Sequence, residues 1–173
     1  KFFNKNKLFY KNKKILIEKY IPGVEYAVEG WVDKDLKFKI GALSKKQRSK
    51  LPFLFDESLI INFKNIKLRN IIIKYIERLV KSLKLFNIPV HMEFKILKGK
   101  IYLIDFSFRG AGFTVYSEIL SKIIEQNTDQ IIIDMFFNKN FKINEPNENK
   151  YYLKFFYKKE LSNFKKYKKQ IKN

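Results

Sequence analysis

The chain has 173 residues, 46 % of them hydrophobic, which is room for one domain with an appendage and a sizeable core and excludes wholesale disorder. It has no cysteine, which excludes disulfides and thiolate metal sites and fits a reducing, cytoplasmic compartment; no apolar run approaches the roughly 18 residues of a membrane span. The formal charge of +20 raises a nucleic-acid partner, but the lysines are scattered through every segment, as an AT-rich coding bias produces, and only KKYKKQIK near the end is a concentrated patch.

Residue 1 is lysine, and the basic opening KFFNKNKLFYKNKK is followed only by ILI, too short for a signal peptide; the chain reads as a piece of something longer. KILIEKYI (14–21) reads as a strand, PG at 22–23 as a turn, VEYAVEGWV (24–32) as a second strand, DKD as a tight turn and LKFKIGAL (36–43) as a third. These three make an antiparallel meander. Residues 44–63 show no clean period and read as a long loop with short elements. Across 66–86, Leu68, Ile72, Tyr75, Ile76, Leu79, Leu83 and Phe86 fall three or four apart, the stripe of a core-packing helix. VHMEFKIL (90–97), KGK and IYLIDFSF (101–108) form a hairpin. Helices are expected at 116–125 and 129–137, a loop at NEPNEN, a strand at YYLKFFY (151–157) and a basic helical tail at 160–171. The fold class is α+β, a mostly antiparallel sheet packed by helices.

The hairpin carries the chemistry. Side chains alternate across a strand, so Tyr102, Ile104, Phe106 and Phe108 share one face, and Leu103, Asp105, Ser107 and Arg109 the other. In the preceding strand Val90, Met92, Phe94 and Ile96 oppose His91, Glu93 and Lys95. Matching the apolar faces needs an odd number of loop residues, or a bulge, around Lys98-Gly99-Lys100; a plain two-residue loop would set Met92 against Asp105. Glu93 and Asp105 then share a face, where like charges destabilise each other. A divalent cation with oxygen ligands, such as Mg2+, would offset that, and Arg109 could hold a phosphate or carboxylate oxygen. Neutralisation by Lys95 and Arg109 on a solvated face is the other reading. His91, the one histidine, shows no carboxylate partner in the sequence and reads as a space-filling strand residue.

HMEFKILKGKIYLIDFSFRGAG resembles the metal-binding hairpin of the ATP-grasp family: an acidic or amide residue in one strand, Glu-x-Asn-x-Arg in the next, then glycines. ILIEKYIPGVEYAVEGWV resembles the same family's hinge segment, a glutamate, connecting chain, then Gly-x-Glu opening a strand. The motifs stand in the family's order, and the resemblance covers residues 14–137. It implies ATP and Mg2+ (or Mn2+) as cofactors. Glu18 and the main chain of Lys19, Tyr20 and Ile21 would read the adenine edge, Glu25 the ribose hydroxyls, and Ile104 would pack against the base. Glu93, Asp105 and Ser107 would hold the metal, and Arg109 would stabilise the phosphoryl group in transfer. Lys45, Arg48 and Lys50 are candidates to contact substrate or the γ-phosphate.

Two positions depart from the family pattern. Asp105 is a methylene shorter than the usual glutamate, and Ser107 is a poorer metal ligand than asparagine. The family also closes ATP between two lobes, and nothing before Glu18 supplies the first lobe's glycine-rich phosphate loop. The resemblance therefore implies that residues 1–145 are a C-terminal ATP-grasp lobe, that 146–173 add a final strand and the basic tail, and that the N-terminal lobe lies in the same or a partner chain. Its substrates would be a small-molecule carboxylate and an amine, activated through an acyl phosphate in the amino-acid-ligase or carbamoyl-phosphate-synthase-like branch, with no specific nucleic acid and no membrane. Two rivals remain, a basic nucleic-acid-binding module and a degenerate ATP-grasp scaffold without nucleotide binding.

Overall fold

The computed structural model describes residues 18–49, 56–62, 64–112, 114–137, 139 and 142–157. Among the described residues, six strands and three α-helices follow in chain order: β1 (Glu25–Val32), β2 (Phe38–Arg48), β3 (Asp56–Ile61), α1 (Ile66–Leu83), β4 (Ile88–Leu97), β5 (Lys100–Ser107), α2 (Ser121–Ile124), α3 (Thr128–Phe136) and β6 (Tyr151–Lys154). A π-helical turn, Val115–Leu120, runs directly into α2. The strands form one antiparallel sheet in the order β5-β4-β1-β2-β3-β6.

The expected α+β class holds, and several elements depart from the expected pattern, α1 for one ending at Leu83 rather than 86. Residues 44–63 are mostly not a loop: β2 continues to Arg48 and pairs with β3. The expected strand at 14–21 falls largely outside the described residues; 18–24 take no regular form, and the neighbour of β1 on that side is β4. The final strand ends at Lys154 and joins the edge of the same sheet through β3. The expected tail helix at 160–171 lies outside the described residues.

Each face of the sheet has its own core. On one, Val28, Val32, Phe38, Ile40, Leu43, Val90, Met92 and Phe94 pack under Leu68, Ile72, Ile76 and Val80 of α1, which recur every four residues as a helical stripe requires. Asn65 caps α1 by accepting the Leu68 N–H at 3.0 Å, and Lys84 ends it in the left-handed region. On the other face, Trp31, Ala42, Leu59 and Ile61 pack against Tyr116, Leu120, Ile123, Ile131 and Met135. These helical segments cover only one end of that face. The uncovered end carries polar side chains.

The β4–β5 connection is a two-residue turn, with Lys98 and Gly99 both at positive φ (49° and 75°). The parity problem is solved higher up. Phe94 pairs with Leu103 and Glu93 with Asp105, so Ile104 is an extra residue, a bulge. The bulge reverses the alternation: Tyr102 now shares a face with Lys95, while Phe106 returns to the core side opposite Met92. The expected grouping of Tyr102 and Ile104 with Phe106 on one face is therefore corrected.

Candidate functional site

The polar end of the second face is assembled from five strands. Glu25 stands opposite Lys95, Ala27 opposite Glu93, Glu29 opposite His91, Glu93 opposite Asp105, and His91 opposite Ser107. Lys46 and Arg48 enter from β2. A second bulge, which leaves Glu57 without a partner in β2, sets Asp56 rather than Glu57 across from Arg48. Ala27 is the small residue in the middle of this floor.

Ion pairs tie the face together. Lys46 Nζ, its side chain 6 % exposed, lies 2.5 Å from Glu93, 3.2 Å from Glu25 and 3.4 Å from Asp56. Arg48 reaches Glu25 at 2.7 Å and Asp56 at 3.3 Å. His91 bridges two acids, with Nδ1 2.5 Å from Glu29 and Nε2 3.3 Å from Glu93. Burial disfavours charge on all three; for His91 and Glu93 the contacts overcome it, whereas burial prevails at Glu29 and holds its carboxyl above the usual carboxylate range. His91 is raised to about 9 by its hydrogen bonds to Glu29 and Glu93, and Glu93 is held down at about 2 by His91 and Lys46. Lys46 is likewise raised against its burial by Glu93.

His91 therefore has the carboxylate partners that the sequence did not reveal, and it is not a space-filler. Neither Lys95 nor Arg109 pairs with Glu93 or Asp105 among the described residues; Lys95 lies 3.8 Å from Glu25 instead. Lys95 Nζ donates to the Ile21 carbonyl at 2.9 Å and sits 4.8 Å over the Tyr20 ring, so it fastens the segment before β1. Arg109 Nη1 donates to the Gly110 carbonyl at 2.9 Å.

A family model described as an ATP-grasp domain matches residues 3–117, well over half of the chain. The chain belongs to the ATP-grasp family. No curated protein sequence matches it. Among solved structures, the L-amino acid ligase from Bacillus licheniformis is 24 % identical with a TM-score of 0.59, covering 73 % of this chain and 31 % of that one. Phosphoribosylglycinamide synthetase from Anaerococcus prevotii is 16 % identical with a TM-score of 0.59, covering 80 % and 35 %. The biotin carboxylase domain of the Hydrogenobacter thermophilus 2-oxoglutarate carboxylase, solved with MgADP and bicarbonate, is 14 % identical with a TM-score of 0.57, covering 74 % and 28 %. At these identities the likeness speaks for the fold, and the chain spans about a third of these proteins.

Within this ATP-grasp fold, Glu25, Glu93, Asp105 and Ser107 come together on one sheet face, and Ile104 stands at the bulge beside them, 45 % exposed. Arg109 follows β5 in an exposed segment. Glu18, Lys19 and Tyr20 are exposed on the lead-in to β1, and Ile21 is half-buried with its carbonyl taken by Lys95. Glu25 is 3 % exposed, its carboxylate engaged by Arg48 and Lys46. Among the described residues no three His, Cys, Asp or Glu side chains gather to hold a metal by themselves. The donor set nevertheless suits Mg2+, which is commonly bound by one or two carboxylates with substrate phosphates completing its shell. Asp105 is exposed, has no cation within ion-pair distance among the described residues, and accepts the Ser107 hydroxyl at 3.2 Å. Lys46, Asp56 and Glu29 were missed by the sequence reading. Continuing the 36–43 strand by alternation through Ala42, Ser44, Lys46 and Arg48 would have set Lys46 on the same face as Arg48, already a candidate.

Proposed function

We propose that the chain is the C-terminal lobe of an ATP-grasp domain in an ATP-dependent ligase, residues 1–145 forming the lobe and 146–173 a final strand and basic tail. The parent protein would act in the cytoplasm, with an N-terminal lobe in the same or a partner chain. It would activate a small-molecule carboxylate as an acyl phosphate, which an amine then attacks. The observation that carries this reading is the directly opposed Glu93–Asp105 pair on the uncovered sheet face of an ATP-grasp chain. The likeness to an L-amino acid ligase and a phosphoribosylglycinamide synthetase leans the same way.

In this reading Glu93, Asp105 and Ser107 hold Mg2+ or Mn2+, which when bound supplies neutralisation of the polyphosphate charge. Glu18 and the main chain of Lys19 to Ile21 take the adenine edge, with Ile104 against the base. Glu25 accepts ribose hydroxyls as Arg48 yields its place on the carboxylate. Arg109 turns from the Gly110 carbonyl to the transferring phosphoryl group, where a guanidinium stabilises developing charge. The acceptor carboxylate oxygen bonds to the γ-phosphorus as ADP departs, and the amine then displaces phosphate from the acyl carbon. Incubating the intact protein with ATP, Mg2+ and panels of carboxylic acids, with hydroxylamine as trap, tests this. Hydroxamate formation with one class of acid is expected; ATP hydrolysis indifferent to every acid would overturn the reading.

A further inference from the structure

Glu29 is a buried acid with no part in that reading, its carboxyl raised by burial above the usual range. Glu29 is 1 % exposed at the centre of β1. One carboxylate oxygen meets His91 Nδ1 at 2.5 Å, and the other accepts the Ala111 N–H at 3.2 Å. Ala111 lies past the end of the β4–β5 ladder, whose last pair is His91 with Ser107. The Glu29 bond is thus a tie between the centre of the sheet and the segment carrying Arg109. Two residues along β1, the fully buried Trp31 donates its indole N–H to the Tyr116 hydroxyl at 2.6 Å. Gly110 completes the seam: a Cβ there would fall 2.2 Å from the Tyr116 ring, so only glycine lets the chain lie flat on it.

A carboxylate buried this deeply is unfavourable unless its oxygens are hydrogen-bonded, and an apolar residue would pack this position at less cost. What Glu29 adds is reach. It touches the loop after β5 directly, and through His91 it touches the side of Glu93. We propose that Glu29 is a positioning residue that, given the nucleotide reading above, sets the polyphosphate end of the site by locking the backbone at Ala111 and the orientation of His91 against Glu93. The adenosine end, anchored at Tyr20 and Ile21 by Lys95, does not depend on it.

The test compares binding of adenosine and of the magnesium complex of adenylyl imidodiphosphate, a non-hydrolysable ATP analogue, by the intact protein. Hydrogen exchange at the Ala111 amide is followed in parallel. Glu29→Ala is expected to weaken the analogue at least tenfold, leave adenosine within twofold and speed Ala111 exchange at least tenfold. Glu29→Gln, which keeps the length and an acceptor, should restore both to within threefold of wild type. If Glu29→Ala does not fold, Glu29→Met carries the test: it fills the buried position, removes the acceptor for Ala111 and His91, and should weaken the analogue but not adenosine. Equal weakening of the two ligands, or of neither, would overturn the proposal. Wild-type protein that binds neither ligand would overturn the nucleotide reading instead; unchanged Ala111 exchange in Glu29→Ala would then overturn the positioning role on its own.

Discussion

Lys46 is the cation on which Glu25, Asp56 and Glu93 converge, and it is almost fully buried. Removing one partner of a buried pair leaves the others uncompensated, at about 3–5 kcal/mol. Lys46→Met should therefore destabilise the protein by about that amount in urea unfolding at neutral pH, and millimolar Mg2+ should restore part of the loss by replacing the missing charge. His91 gives a pH signature. Its value is raised in the folded state to about 9 from 6.5, so its stabilisation is complete below pH 6.5 and is lost as pH rises through about 9. Without divalent cations, the melting temperature should fall across that window, and His91→Asn should flatten the fall. A wild-type curve already flat from 6.5 to 9 would contradict the His91 pairing.

At the scale of elements, the bulge at Ile104 decides the hairpin. The acids of HMEF and DFSF were legible as face-mates because alternation near the far end of each strand survives the bulge. The bulge itself was not legible: Lys98-Gly99 specifies a tight turn, and nothing in IYLID marks where the extra residue sits. The stripe of α1 was readable only in part: Leu68, Ile72 and Ile76 are buried as expected, but Val80 was missed, and Leu83 and Phe86 are exposed because the helix ends at Leu83. Residues 44–48 were lost to the loop because both faces are polar there: Lys46 and Arg48 enter the ion-pair network while Lys45 and Gln47 lie on the other side. Glu29 and His91 could not be paired in advance, because their contact needs β1 and β4 to be neighbours, 62 residues apart. Deleting Ile104 should straighten β5 and leave Glu93 opposite Asp105. The protein should fold and keep its Mn2+ affinity, while adenosine binding weakens roughly tenfold, the effect of about 1.4 kcal/mol of lost apolar contact. Loss of Mn2+ binding with adenosine unaffected would place Ile104 on the wrong side of the site.

For the whole molecule, one face of the sheet is closed by α1, and the other is closed at one end by the π-helical turn, α2 and α3 and left polar at its other end. No helix among the described residues is long and apolar enough to cross a membrane. The chain spans about a third of the solved proteins it resembles; under the proposed function it carries the base, ribose and metal contacts, and the N-terminal lobe supplies the rest of the phosphate grip. Charge-assisted contacts to phosphate contribute roughly 1.5–3 kcal/mol each. Losing two or three weakens binding by several powers of ten. The isolated 173-residue chain should therefore bind Mg-ATP in the millimolar range and lack ligase activity; micromolar binding by calorimetry would mean that the lobe boundary is misplaced.

The proposed function requires the face between β4 and β5 to hold a metal-bound polyphosphate. Calorimetric titration of ATP into the intact protein, with and without Mg2+, in wild type and Asp105→Asn, tests it most directly. Mg2+ should tighten ATP at least tenfold in the wild type. In Asp105→Asn that gain should vanish while metal-free ATP binds as before. The same Mg2+ dependence in both proteins would show that Asp105 does not serve the metal and would contradict the account.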